Sequence, residues 1–172
     1  FRREYPGNLD DCFLDREGGF FEDDLLGNIH VVDHALHGKT KGREIEPPHP
    51  HDRYCVGVDI GGGVGGDYST MCVVSVSTRQ VVYSERDNRA TPSQWAHRVI
   101  HVASRYNQAL VLAESNNHGH AFLLEMNNCG YRNQWRNPKG KPWVTSLQSK
   151  LDAFDTLRES LQIIQILDRP TW

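Results

Sequence analysis

Long apolar runs are missing from this 172-residue sequence: no stretch could cross a bilayer, and no secretory pattern follows Phe1. With 38% hydrophobic and 24% charged residues, the composition is that of a soluble globular protein with no membrane partner. Cysteine is scarce. Cys12, Cys55, Cys72 and Cys129 lie far apart without C-x-x-C spacing, which argues against structural zinc. Two of them fall in apolar strand-like runs and are expected as buried thiols in a reducing compartment. An excess of basic charge is also absent: the formal net charge is -3, whereas a protein that coats nucleic acid is normally basic overall. There is no internal repeat and no low-complexity tract. The length suits one domain with a sizeable core, or a smaller domain plus an arm. The chain opens on Phe1 and stops at Trp172 just after a strand-like segment, so it reads as a piece of a longer protein.

The charges that are present are unevenly spread. Asp10, Asp11, Asp15, Glu17, Glu22, Asp23 and Asp24 crowd the first 24 residues, while Arg132, Arg136, Lys139, Lys141 and Lys150 form a basic stretch. Such a stretch suits either phosphate tracking or a solvated loop. His30, His34 and His37 have helix-compatible spacing, but Gly27, Asn28 and Gly38 bracket them and no cap precedes them, which disfavours a metal site. Residues 1–53 hold several turn formers and no long periodic segment, and Pro47, Pro48 and Pro50 break the backbone just before the first strong strand. They read as an extended arm or linker, and 54–172 as the folded domain.

From Tyr54 the pattern is regular. Apolar runs at 54–60, 69–77 and 80–84 predict three consecutive antiparallel strands, the last two joined by a tight hairpin at Thr78 and Arg79. Thr91 as N-cap, Pro92 at the first helical position and Gln94 three residues after the cap then mark a helix start. Trp95, Val99, Val102 and Tyr106 give that helix one apolar face. The run 109–114 follows, a short continuous apolar segment of the kind buried on both faces of a sheet. A strand, helix, strand succession of these lengths implies a crossover to a parallel strand. If its neighbour is strand 54–60, the carboxyl ends coincide and Asp59 meets Glu114. Further helices are expected at 118–128, with Ala121, Phe122, Leu124 and Met126, and at 149–161, with Leu151, Phe154, Leu157 and Leu161 facing inward. A last strand is expected at 163–166.

This α/β order, three antiparallel strands and then parallel strands flanked by helices, describes a ribonuclease H-like mixed sheet. Asp59 followed by Gly61, Gly62, Gly63, Gly65, Gly66 and Asp67, and then Glu114, Ser115, Asn116, Asn117, His118 and Gly119 before a helix, resemble the nuclease domain of viral (phage) terminase large subunits. Arg3, Glu4, Tyr5 and Pro6, with Cys12, Phe13, Phe20 and Phe21, resemble the segment leaving the ATPase domain of those motors. Trp143, Val144, Thr145 and Ser146, with Lys150, resemble the stretch before a late helix. The resemblance covers nearly the whole chain, and its specificity lies in the order and spacing of the pieces.

It implies a metal-dependent endonuclease that hydrolyses phosphodiesters of double-stranded DNA at the start and end of genome packaging. One or two Mg²⁺ or Mn²⁺ ions would be held by Asp59 as bridging ligand, by Glu114, and by Asp67 directly or through water. Partners would be the ATPase domain, the small subunit and the portal, in the cytoplasm of the infected host cell. Backbone contacts would position the duplex with little sequence preference, so binding should weaken steeply with salt. Each acid also has a structural reading: Asp59 as a strand terminator, Glu114 as a cap for the next helix, Asp67 as a turn acid. The family's third acid sits on a helix after the last strand. Asp168 is too early to match it, which implies weak metal binding and poor cleavage by this piece.

Two rival readings remain. Asp59, Ile60 and the following glycines also resemble the phosphate loop of actin-like sugar kinases, where backbone N–H groups approach ATP. That fold needs a second Asp-Gly loop, which the sequence lacks, and Glu114 with Ser115, Asn116 and Asn117 does not fit its pattern. The other is a non-catalytic module that docks DNA or the portal ring, favoured by the acidic arm and the missing third acid.

Overall fold

The computed structural model describes residues 42–160. His30, His34 and His37, Cys12, the strand expected at 163–166 and Asp168 lie outside them. Five strands form one sheet in the order β1-β4-β3-β2-β5, where β1 is Gly42–Glu44, β2 Tyr54–Asp59, β3 Ser69–Ser75, β4 Val81–Asp87 and β5 Leu110–Ala113. The β2–β3 and β3–β4 pairs are antiparallel and β2–β5 is parallel, as the pattern predicts. The β3–β4 hairpin turns without glycine because Arg79 itself takes φ 59°, while the Ser75 amide donates to the Gln80 carbonyl at 3.0 Å.

The crossover is helix α1, Pro92–Arg105. The Thr91 hydroxyl accepts from the Gln94 amide and the Gln94 side chain accepts from the Thr91 amide, so both halves of the capping box form. Helix α2, Gly119–Asn128, packs beside α1, and together they cover one face of the sheet. Trp95, Val99, Tyr106, Phe122 and Met126 meet Val56, Met71, Val73 and Val111 in one core cluster, all of them buried.

Burial alternates along β2, β3 and β5, and the other face is open there. Tyr54 and Val56 are buried but Cys55 and Gly57 are exposed; Val111 and Ala113 are buried but Leu112 is 38% exposed. The expectations that Cys55 and Cys72 are buried thiols and that 109–114 is covered on both faces are therefore corrected. Period two sends these side chains to the face opposite α1 and α2. Two helix faces are corrected similarly. Leu124 (62% exposed) and Ala121 point away from the core in α2, where Leu123 is buried instead. Helix α3, Leu147–Ser160, forms close to the predicted span, but Leu151, Phe154 and Leu157 are exposed and the helix buries no residue. Leu161 lies outside the described residues.

Residues before Tyr54 are tied to this body. β1 pairs with β4, and Arg105 of α1 forms an ion pair with Glu44. The Asn107 amide group donates to the carbonyls of His49 (2.8 Å) and Asp52 (2.9 Å). The end of the segment read as an arm thus joins the sheet as its edge strand.

Candidate functional site

Asp59 is the last residue of β2, and Glu114 is one past the end of β5. The parallel register pairs Gly57 with Leu112 and Val58 with Ala113, so the next step sets Asp59 beside Glu114. Neighbouring strands lie about 4.8 Å apart, and both acids share the parity of the open face, Asp59 with Cys55 and Gly57, Glu114 with Leu110 and Leu112. The two carboxylates therefore stand side by side at the carboxyl edge, on the face away from the helices. Asp59 is exposed and Glu114 half-buried, and among the described residues neither forms an ion pair with a lysine or arginine.

The loop after Asp59 is folded back tightly. The Asp59 carboxylate accepts from the Ile60 amide at 3.0 Å, and the Gly61 amide donates to the buried Ser69 hydroxyl at 2.9 Å. Gly61 lies against the Asp67 carbonyl, where a Cβ would come within 2.5 Å of the oxygen. Gly63, at φ 73°, lies as close to the Ala90 carbonyl, and the Gly65 amide donates to the Asn88 carbonyl at 2.8 Å. Asp67 is exposed at the loop's far end, next to the start of β3. Among the described residues, Asp59, Glu114 and Asp67 do not close into a trio with every ligand atom within 4.8 Å of the others; the one trio that does is His97, Glu125 and Cys129.

On the other flank, Trp143 forms a parallel bridge with Glu114, and its carbonyl accepts from the Ser115 amide at 2.9 Å. The Trp143 ring rests edge-on against Trp135 at 5.6 Å. The Asn116 side-chain amide donates to Glu114 Oε1, fixing the carboxylate's orientation. Gly119 is required where α2 begins, since a Cβ there would overlap the Glu114 carbonyl at 1.9 Å. His118 sits across the mouth from Gly62, its Nε2 3.2 Å from where a Gly62 Cβ would stand. Asn116, Trp143 and Ser69 were not singled out by sequence reasoning as parts of the site. Asn116 and Trp143 lie in the stretches that carry the family resemblance, which was the available signal; Ser69 had none.

All five residues of the basic stretch are exposed, but they are not gathered at one point. Arg132 and Arg136 flank Gln134, which is level with Val111, three residues or about 10 Å along β5 from Glu114. Lys139 stands on a turn closed by the Gly140 amide donating to the Asn137 carbonyl at 2.8 Å, and Lys141 leads into Trp143 at the Glu114 end. Lys150 lies on α3 with its ammonium 5.7 Å from the Phe154 ring centre.

The model of the terminase RNaseH-like domain family matches residues 56–142, just over half of the chain, from within the Asp59 strand to the residue before Trp143. The chain belongs to this terminase family. Solved structures share its fold. The large terminase nuclease of thermophilic phage G20c with bound magnesium is 24% identical with a TM-score of 0.71, over 87% of this chain and 74% of that one. The same nuclease with bound zinc gives 24% and 0.71, over 90% and 84%. The Thermus phage P74-26 large terminase nuclease domain gives 24% and 0.67, over 86% and 72%. No curated protein matches the sequence. The mixed sheet of this terminase domain is ribonuclease H-like, and neither the kinase reading nor the docking-module reading finds support.

Proposed function

We propose that this terminase domain is the metal-dependent endonuclease of a phage packaging motor, and that Asp59 and Glu114 form the heart of its active centre. The observation that carries the reading is the β2–β5 register, which brings two carboxylates without a cationic partner among the described residues to one open sheet edge. The residues fit a hard divalent cation, because they offer oxygen donors only, from side chains that water and phosphate can reach. Asp59 would be the shared ligand, Glu114 the second, and Asp67 a ligand held directly or through water. Bound Mg²⁺ or Mn²⁺ would polarise the phosphodiester and make a water more acidic.

The chain's own groups do the rest. Asn116 orients Glu114, and Trp143 splints the strand end that carries it. Gly61, Gly62 and Gly63 let the loop pack tightly against Asp67, His118 and Ala90, which holds it close beside Asp59. Arg132, Arg136, Lys139, Lys141 and Lys150 would hold backbone phosphates without reading bases. Residues 54–172 would be the nuclease domain and 1–53 the arm from the ATPase domain, entering the sheet through β1. The small subunit and portal would be partners in the host cytoplasm. With its third acid expected on a later helix, the chain alone would cleave poorly.

The test is DNA cleavage by the complete terminase with Mg²⁺ or Mn²⁺. Asp59→Ala should abolish it, since removing a shared ligand disorganises both metal positions. Unchanged cleavage would sink the proposal. Crystals soaked in Mn²⁺ should show anomalous density between Asp59 and Glu114.

A further inference from the structure

The absence of C-x-x-C spacing argues against zinc along the sequence, but the packing of α1 on α2 assembles donors that the sequence keeps apart. Glu125 and Cys129 are four residues apart at the end of α2, hence on one helix face, with Cys129 as the C-cap. His97 comes from α1, next to buried Ala96, at the border where the two helices meet. Its Nε2 lies 3.0 Å from Glu125 Oε1, and its Nδ1 lies 3.7 Å from Cys129 Sγ. Cys129 Sγ is also 3.7 Å from Glu125 Oε1, and one donor atom from each residue falls within 4.8 Å of the other two.

We propose that His97, Glu125 and Cys129 form a zinc-class metal site that clasps α1 to α2, distinct from the carboxylates at the β2–β5 edge. Metal–ligand bonds of about 2.0–2.3 Å put the donors of a tetrahedral ion roughly 3.3–3.8 Å apart. Cys129 Sγ and Glu125 Oε1 already stand at 3.7 Å, and with a single His97 nitrogen the three donors lie within 4.8 Å, so a turn of the exposed His97 ring would complete the set. Imidazole, carboxylate and thiolate together are a borderline-soft set that selects Zn²⁺ over Mg²⁺. Asp59 and Glu114, with oxygen alone, have the opposite preference. His97 and Cys129 are exposed and Glu125 half-buried, so the ion can enter from solvent and keep water as a fourth ligand. Binding as thiolate would displace the Cys129 thiol proton, so occupancy would rise with pH. The site would fasten the helical layer that backs the sheet.

Co²⁺ titration of the full chain, with excess Mg²⁺ to occupy the carboxylates, tests this. The expected result is a near-ultraviolet sulfur-to-cobalt charge-transfer band, displaced by one equivalent of Zn²⁺. It should be lost in Cys129→Ser, lost or much weakened in His97→Gln, and retained in Cys55→Ser, Cys72→Ser and Asp59→Ala. Zn²⁺ should also raise the melting temperature of the wild type but not of Cys129→Ser. Absence of the band, its survival in Cys129→Ser, or its loss in Asp59→Ala would each overturn the proposal.

Discussion

Gly61 limits how closely the glycine loop can fold back on the end of β2. Its reason for being glycine is space: its φ is ordinary, but any Cβ would stand 2.5 Å from the Asp67 carbonyl oxygen and 3.0 Å from that carbonyl carbon. Gly66, by contrast, has open space around it and no left-handed φ. Gly61→Ala is therefore expected to push the 61–68 loop outward and to cost about 1–3 kcal/mol, the usual range for overpacking. Gly66→Ala should stay within about 0.5 kcal/mol of wild type. Urea melts of the two variants check this, and equal midpoints would refute the spatial argument. If Asp67 contributes to the site, Gly61→Ala should also cleave more slowly than Gly66→Ala. A run of glycines was legible in the sequence. Which glycine touches backbone was not, because that depends on where Ser69 and Asp67 sit after the loop closes.

Among the elements, α1 was the most legible, because its start is written in neighbouring residues. Thr91, Pro92 and Gln94 act within one turn, and both reciprocal hydrogen bonds form. Thr91→Ala should lower stability by about 1 kcal/mol through loss of the cap, with the denaturant slope unchanged. Equilibrium unfolding in urea measures it; an unchanged midpoint would mean that tertiary packing alone holds the helix start. The other elements show where such local reading stops. The apolar spacing of Leu151, Phe154 and Leu157 predicts a helix correctly, but periodicity cannot say what covers the stripe, and all three are exposed. β1 has only three residues and no alternation of its own. It becomes a strand because β4 offers a free edge and Arg105 meets Glu44.

At the scale of the whole molecule, Tyr106 and Tyr131 join distant segments through their hydroxyls, and Tyr83 makes a bond within β4. Tyr106 donates to the Glu46 carbonyl at 2.8 Å, Tyr131 to the Ala109 carbonyl at 2.6 Å and Tyr83 to the Glu85 carboxylate at 2.7 Å. Burial pushes Tyr106 and Tyr131 up to about 12, and it raises Tyr83 as well, with help from Glu85. Unfolded tyrosine titrates near 10, so the folded values are the higher ones. Such groups contribute stability that is fully present below pH about 10 and is lost as the pH rises through about 12. The far-ultraviolet circular dichroism should hold from neutral pH to about 9 and collapse cooperatively between about 10 and 12. Tyr131→Phe, which removes one titrating group and its hydrogen bond, should be less stable at neutral pH and show a shallower alkaline decline. A signal that is flat to pH 12 would contradict this.

The sequence by itself determined the succession of strands from Tyr54 to β5, the crossover and the helix start, because hydrophobic period and capping are local, and the family resemblance pointed to Asp59 and Glu114. Only the tertiary structure decided that the two acids are adjacent on the same face, since parity and register have to be read together across β2 and β5. It also decided that the cysteines of β2 and β3 are exposed and that Asn116 and Trp143 flank Glu114. His97, Glu125 and Cys129 meet only because α1 packs on α2. Contacts between residues far apart in the chain are fixed by how elements pack, and no local pattern encodes them.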